Sequence, residues 1–253
     1  MKKLLLLLLI IPFLSFGQNL TYVPDDNFEQ ALIDLGYDDV LNDSVLTSTI
    51  DTITLLPVAN KNISNLIGIQ NFYMLEILRC AGNQLSELNL NNNSELRRLL
   101  CGGNQLSELD LSNNSSLIVL KCGNNELINL DLSSNNSLQV LFCRNNMLTN
   151  LNIKNGNNTL LDSLFITNNP ELSCIEANNV NYLNNNFSFL NGNLDSQHYF
   201  SIDCNSSTLM NNTNINKDLI QRYHILGPRP NNNKGFNIEI YDDGSVEKKY
   251  ILK

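Results

Sequence analysis

The sequence predicts a solenoid, in which short repeats stack around one continuous core. Three observations predict it: an internal repeat of constant length, apolar positions that alternate within each repeat, and frequent asparagine in place of charged residues. The chain has 253 residues, of which 42% are hydrophobic and 16% charged. This length suffices for one sizeable core with a small appendage. Regular leucines among asparagines indicate tight turns between short strands.

Four consecutive segments carry the repeat and align without gaps. Each follows the pattern LxxLxCxxNxLxxLxL, with isoleucine as the last residue of the fourth. The segments begin at Leu75, Leu96, Leu117 and Leu138, each 21 positions after the one before it. Within each segment, apolar residues fall two apart, as in a strand whose side chains alternate between two faces. Stacked segments bury this apolar row and pair their strands into a parallel sheet, and weaker copies extend the repeats over residues 51–176.

This pattern resembles the leucine-rich-repeat family, whose consensus is LxxLxLxxNxL, with cysteine here at the third leucine position. The resemblance is to secreted proteins with internalin-like solenoids, and it implies a parallel β-sheet on a concave face. Because a 21-residue repeat is too short for a full return helix, we expect short strands or turns on the convex face. The predicted fold class is therefore a leucine-rich-repeat solenoid.

Two structural columns recur at the same spacing. The predicted asparagine ladder consists of Asn83, Asn104, Asn125 and Asn146, and the cysteine ladder of Cys80, Cys101, Cys122 and Cys143. We expect each asparagine to bond the backbone of its own turn and of the next repeat. For the cysteines, buried small hydrophobes are favoured over disulfides between repeats or a thiolate metal stack. The strand spacing of about 4.8 Å exceeds the Cβ separation of about 3.8 Å that a disulfide prefers.

Both ends of the stack need caps that cover the exposed core. Residues 18–50 are predicted to form an N-terminal cap with a helix near residues 24–35, and residues 177–204 a C-terminal cap. Six cysteines in an exported chain allow 15 pairings. Cys174 and Cys204 lie outside the ladder, and we predict a disulfide between them.

Residues 1–17 have the pattern of a cleaved secretory signal peptide. Two lysines precede an apolar run, which is too short for a membrane anchor of about 20 residues. We therefore expect a secreted or cell-surface protein without an integral membrane span. Residues 205–216 have the composition of a linker.

Residues 217–253 predict a small C-terminal β segment. Its expected strands are Leu219–Leu226, Phe236–Tyr241 and Val246–Leu252. The stretches HILGPRP, EIYDDGS and EKKYILK resemble the type IX secretion sorting segment of exported Bacteroidetes proteins, although the usual upstream Pro-Asn-Pro strand is missing. The resemblance implies sorting to the cell surface.

Catalytic motifs are missing from the sequence. The two histidines, His198 and His224, are far apart, and HExxH, GxSxG, P-loop and CxxC motifs do not occur. Asp110 and Asp131 stack on successive repeats, where paired carboxylates could act as acid and base or bind Ca²⁺. We favour local backbone hydrogen bonds, because the repeat itself places both residues in a turn. No catalytic residue, metal or cofactor is predicted.

The charge distribution excludes some partners. The formal net charge is −9, and residues 18–216 carry seven basic and 20 acidic side chains, a net charge of −13. Such a body should repel nucleic acid and anionic membrane surfaces. We expect a monomer.

The strand positions that point away from the core predict a binding face. Its candidate contact residues are Arg79, Arg98, Leu100, Lys121, Val140, Phe142, Arg144 and Phe165. Apolar side chains beside arginine are typical of a protein contact, although short repeats also tolerate such residues without binding anything. We predict a non-enzymatic module that binds an extracellular or cell-surface protein. A glycan ligand, a structural envelope component and an accessory carbohydrate-binding protein are the alternatives.

Overall fold

The computed structural model describes residues 19–204, 219–226, 235–241 and 246–251. The predicted signal peptide (1–17) and linker (205–216) lie outside these residues. The chain divides into two compact units, Met1–Asn205 and Ser206–Lys253. The described strands of the first unit are β1 (Leu20–Tyr22), β2 (Ser44–Leu46), β3 (Leu55–Pro57), β4 (Ile77–Arg79), β5 (Arg98–Leu100), β6 (Val119–Lys121), β7 (Asn129–Asp131), β8 (Val140–Phe142), β9 (Asn150–Asn152), β10 (Ser163–Phe165), β11 (Cys174–Glu176) and β12 (Tyr199–Ser201). Its helices are α1 (Asp26–Asp34), α2 (Thr47–Ile50) and α3 (Val180–Asn186), with 3₁₀ turns at Ile69–Asn71 and Asn158–Leu160.

Two parallel sheets form the stack. The larger has six strands in the order β10-β8-β6-β5-β4-β3, and the smaller has four in the order β12-β11-β9-β7. The middle residue of every strand in the larger sheet is a fully buried leucine, and these leucines pair in register: Leu56, Leu78, Leu99, Leu120, Leu141 and Leu164. The predicted solenoid, with a parallel sheet on one side and short strands or turns on the other, is confirmed.

The predicted asparagine ladder is completely used in hydrogen bonding. Asn104 Nδ2 donates to the carbonyl oxygens of Cys101 at 2.9 Å and Cys80 at 3.1 Å, and its Oδ1 accepts from Leu85 N at 3.1 Å. Asn125 repeats this pattern one rung later. The bonds run to the asparagine's own turn and to the preceding rung, so the expectation of bonds to the next rung was wrong.

A second asparagine ladder, which the sequence reasoning missed, lies in the turn before each strand. Asn93, Asn114 and Asn135 are fully buried and follow one another at the spacing of the repeat. Asn114 Nδ2 donates to Leu90 O at 3.2 Å and Asn93 O at 2.8 Å. Among the described residues, the Oδ1 atoms of this ladder have no hydrogen-bond partner. These asparagines therefore serve as donors to the preceding rung.

Asparagine and glycine also occupy the turn that follows each strand of the larger sheet. At one equivalent position per rung φ is positive, between 56° and 70°, and the first of these turns has a second such residue, Asn62. Glycine and asparagine tolerate this left-handed conformation better than other residues. The residues in this column are Asn60, Gly82, Gly103, Asn124, Asn145 and Asn168.

The N-terminal cap is built around Asp25. Its Oδ1 accepts from Phe28 N at 2.9 Å, which caps α1 within the predicted range 24–35, and its Oδ2 accepts from Ser64 N at 2.8 Å and Asn65 N at 3.1 Å. Phe28 packs against Phe72, with ring centroids 6.4 Å apart. The side chain of Asp25 thus joins the cap helix to the first turn of the stack.

The C-terminal cap is tied covalently. The predicted disulfide between Cys174 and Cys204 is present, with the two Cα atoms 5.8 Å apart. His198 is buried and lies 3.3 Å from Asn169 O through Nε2, while its Nδ1 accepts from Asp195 N. This histidine is therefore part of the cap structure.

The second unit is described by its backbone. Its strands β13 (Leu219–Leu226), β14 (Gly235–Tyr241) and β15 (Val246–Ile251) form an antiparallel sheet in chain order. Within the described ranges, no helix has the length and apolarity needed to cross a bilayer.

Candidate functional site

The candidate site lies on the outer side of the six-stranded sheet. On either side of each buried leucine, one residue points outward, and strand pairing places these residues in continuous columns. We call this surface the sheet face. Its first column is Leu55, Ile77, Arg98, Val119, Val140 and Ser163, and its second is Pro57, Arg79, Leu100, Lys121, Phe142 and Phe165. Backbone bonds between turns add a third, of Ala59, Ala81, Gly102, Gly123, Arg144 and Thr167.

All eight predicted contact residues therefore lie on one surface. Arg79, Arg98 and Arg144 are exposed. The other five members are partly buried: Leu100, Lys121, Val140, Phe142 and Phe165. Because the apolar members are covered only in part by their neighbours, contact with a partner would remove further apolar area from water, which favours binding.

One end of the sheet face is aromatic. The rings of Phe142 and Phe165, on neighbouring strands, meet edge to face with centroids 4.8 Å apart and planes at 76°. Lys121 Nζ lies 4.7 Å from the centroid of the Phe142 ring, a cation–π contact. These contacts hold the lysine stem and both rings in place, so this end of the surface is preorganised.

The basic side chains of the solenoid fall into two groups, those in salt bridges and those on the sheet face. Three of the seven basic side chains in residues 19–204 form salt bridges, Lys61 with Asp34, Arg97 with Glu76, and Lys154 with Glu176. The other four have no salt bridge within the described residues, and all lie on the sheet face. These four are Arg79, Arg98, Lys121 and Arg144, one on each of four neighbouring rungs.

Two glycines on the sheet face allow the backbones of successive rungs to approach closely. A Cβ atom on Gly102 would lie 2.8 Å from Gly123 O, and one on Gly123 would lie 2.9 Å from Arg144 O. Both distances are shorter than a normal contact, so successive backbones approach here as only glycine permits. Lys121 precedes Gly123 by two positions on the same rung, and Arg144 follows Gly123 in the third column.

The opposite side of the stack is acidic. A groove of about 590 Å³ is lined by Glu87, Glu108, Asp110 and Asp131, among other residues. Asp110 Oδ1 accepts from Ser112 N at 2.9 Å, and Asp131 Oδ1 accepts from Ser133 N at 2.9 Å, as the local-turn interpretation predicts. The bonds from Ser112 lower the pKa of Asp110. Within the described ranges, no cluster of three histidine, cysteine or acidic residues is arranged to hold a metal ion.

The thiols of the cysteine ladder are protected from reaction by burial. Its four thiols are free and fully buried in the core. Burial raises the pKa of every one of them, for Cys101 to about 12. Because the thiolate is the nucleophile and the metal ligand, these residues act as small core side chains.

Comparison with known proteins identifies the fold. No protein-family model matches the chain, and no curated protein sequence does. The functional domain of InlJ from Listeria monocytogenes, which includes a cysteine ladder, matches with a TM-score of 0.54 and 27% identity over 63% of this chain. Internalin C2 from the same species matches with a TM-score of 0.52 and 23% identity over 62% of this chain and 75% of its own. The fold is therefore an internalin-like leucine-rich-repeat solenoid. The chain spans 38% of the InlJ functional domain.

This leucine-rich-repeat solenoid belongs to an architecture typical of protein-interaction modules. Such stacks create extended surfaces on which side chains from several repeats contact one partner. Here the sheet face supplies residues from six consecutive rungs. The arrangement offers contact area, four cations and an aromatic pair, all held by a rigid parallel sheet.

Proposed function

We propose that the solenoid is an exported, non-enzymatic protein-interaction module that binds a partner through the sheet face. The observation that carries this proposal is that the four cations without a salt bridge in the described residues lie on the same surface as Phe142 and Phe165. Within residues 19–204, which are acidic overall, these four are all the basic side chains outside salt bridges, and half-buried apolar residues lie among them. Aromatic residues and arginine are enriched at the centres of protein interfaces.

Export is part of the proposal. The N-terminal sequence has the pattern of a signal peptide, and the Cys174–Cys204 disulfide suits an oxidising compartment. A protein partner is favoured over a glycan, because the chain has no tryptophan and the two phenyl rings meet at 76° and so form no flat platform for a sugar ring.

A crosslinking experiment tests the sheet face. A photoreactive amino acid is placed at Leu100 on the sheet face or, as a control, at Ser112 on the opposite side, in the full chain produced by its native host. We expect a discrete crosslinked protein from position 100 and none from position 112. The Phe142→Ala plus Arg98→Ala variant should then lose at least about tenfold in affinity for that protein. Equal crosslinking from both positions, or unchanged affinity, would contradict the proposal.

We also propose that residues 217–253 direct the protein to the cell surface by type IX secretion. The resemblance in HILGPRP, EIYDDGS and EKKYILK supports this, as does the organisation of the segment as a unit with its own three-stranded sheet. Fractionation and protease shaving of cells that carry the full chain or a chain ending at residue 216 provide the test. The full chain should reach the surface or medium while the shortened chain stays in the periplasm. Periplasmic retention of both would indicate another role for this unit.

A further inference from the structure

We propose that the occupant of the sheet face is an extended acidic segment of the partner protein, which runs along the stack and ends with apolar side chains at Phe142 and Phe165. This inference rests on the proposed function. It concerns the charge of the bound segment, its alignment along the stack and the location of its apolar end. Three observations carry it: the sign of the charge, its spacing and the location of the apolar end.

The sign of the charge selects an anion. The three columns of the sheet face contain four basic residues and no acidic one, although the first unit carries 20 acidic side chains in all. The three other cations of residues 19–204 are paired with carboxylates of their own chain. The cations of the sheet face are therefore available to a partner, and a positive patch favours a complementary negative one.

The spacing of the charge selects an extended chain. Arg79, Arg98, Lys121 and Arg144 belong to four neighbouring rungs, so the array spans about 14 Å along the stack at about 4.8 Å per strand. An extended polypeptide rises about 3.3 Å per residue, so about five residues cover the same length. The four cations are distributed over the three columns, and their long side chains allow one short acidic segment along the middle column to approach all of them.

The two phenyl rings determine at which end of the array the apolar side chains of the segment would bind. Phe142 lies on the same rung as Arg144, and Phe165 on the rung after it, so the aromatic pair continues the charged array at one end. Leucine or phenylalanine beyond the acidic residues would pack against these two rings. Gly102 and Gly123 carry no side chain, so the third column offers no side-chain obstacle there to the backbone of such a segment.

Synthetic peptides test the inference on the full chain. The probe contains five glutamates followed by two leucines and carries a fluorescent label, and its control has glutamine in place of every glutamate. We expect the acidic peptide to bind and the glutamine peptide to bind at least about tenfold more weakly. The affinity of the acidic peptide should also fall by several-fold between about 50 and 300 mM NaCl, because the charges are screened.

A variant pair with equal net charge separates contact from long-range attraction. Arg79→Gln plus Arg98→Gln removes two positive charges from the sheet face, and Asn113→Asp plus Ser134→Asp adds two negative charges at exposed positions in the turns outside it. Only the first pair should weaken binding by about tenfold or more. Equal losses in both variants would overturn the inference.

Other outcomes separate a failure of this inference from a failure of the proposed function. Equal binding of the glutamine peptide, or binding of oligogalacturonate without binding of the acidic peptide, would overturn the acidic-peptide assignment. If the photoreactive residue at position 100 still captures a partner in that case, the sheet face remains the interaction surface and only the chemistry of the occupant is wrong. If it captures none, the proposed function fails as well.

Discussion

The two ends of the stack are closed by different means. At the N-terminal end, the carboxylate of Asp25 joins α1 to the first turn through hydrogen bonds to three backbone N–H groups. At the C-terminal end, the Cys174–Cys204 disulfide encloses α3 and β12. Both ends of the stack would otherwise expose the core, and a titratable carboxylate holds the cap at one end while a covalent bond holds it at the other. The two caps should therefore fail under different conditions.

The largest effect is expected from loss of the disulfide. Its cysteines are 30 residues apart in sequence, and opening a loop of this size costs about 3.5 kcal/mol of stability in the chain-entropy model. The Cys174→Ala plus Cys204→Ala variant should lose this amount in urea denaturation. Hydrogen exchange should become faster around β11 and β12 while α1 stays protected, since repeats interact with their neighbours only. Equal loss of protection at both ends would contradict the independence of the caps.

Removal of the Asp25 side chain should have the next largest effect. Asp25→Ala deletes a helix cap and leaves the N–H groups of Ser64 and Asn65 without their acceptor, which together costs about 2 to 3 kcal/mol. Its neighbour Asp26 is exposed, so Asp26→Ala is the matched control with a change below about 0.5 kcal/mol. In hydrogen exchange, α1 should open while β11 and β12 remain protected. A stability loss as small as that of the control would show that the capping bonds contribute little.

Acid should affect the N-terminal cap. Burial opposes ionisation of Asp25, but hydrogen bonds from Ser64, Phe28 and Asn65 outweigh it and lower the pKa of this carboxyl below 3.8. The resulting stability is present above pH 3.8 and is lost as the pH falls through the lower, folded-state pKa. The stability difference between the wild type and Asp25→Asn should therefore be largest at neutral pH and shrink as the pH falls through the folded-state pKa of Asp25. A difference that does not change with pH would contradict this assignment.

The smallest predicted effect has the opposite sign. Burial raises the pKa of Asp38 in the N-terminal cap, and its buried Oδ2 has no hydrogen-bond partner within the described residues. A raised pKa means that Asp38 contributes most to stability below pH 3.8, and that this contribution is lost as the pH rises through the folded-state value. Asp38→Asn should stabilise the chain at pH 7 by less than about 1 kcal/mol, with no gain at pH 3. Destabilisation at pH 7 would show that the carboxylate has a stabilising role.

The sequence predicts the columns of this fold well. Cysteine and asparagine that recur at a fixed spacing determine which residues share a rung, so the sheet face could be assigned before the structure was known. The spacing alone, however, does not tell whether an asparagine bonds to the preceding or to the following rung. The bonds of Asn104 to the preceding rung, and not to the following one, depend on how the chain winds in three dimensions.

The second asparagine ladder and the packing of the C-terminal cap could not be predicted, for different reasons. Asn93, Asn114 and Asn135 recur at the spacing of the repeat, but neighbouring asparagines and serines hid the register of this second ladder. Finer alignment of the turns could have found it. The C-terminal cap, in contrast, has no repeat to align. The contact of His198 with Asn169 therefore follows from tertiary packing and has no counterpart in a sequence pattern.

The buried cysteine ladder has a consequence for the order of folding and disulfide formation. In an unfolded chain a thiol with a pKa of about 8.5 is a few per cent thiolate at pH 7. In the folded stack, burial raises the pKa of Cys101 to about 12, so far less thiolate is present. Four ladder thiols are thus open to mispairing with Cys174 or Cys204 until the rungs close. In an oxidising compartment, closure of the rungs before oxidation therefore protects the native Cys174–Cys204 pairing. A stack whose contacts join neighbouring repeats is suited to this order, because contacts that are close in sequence favour rapid folding.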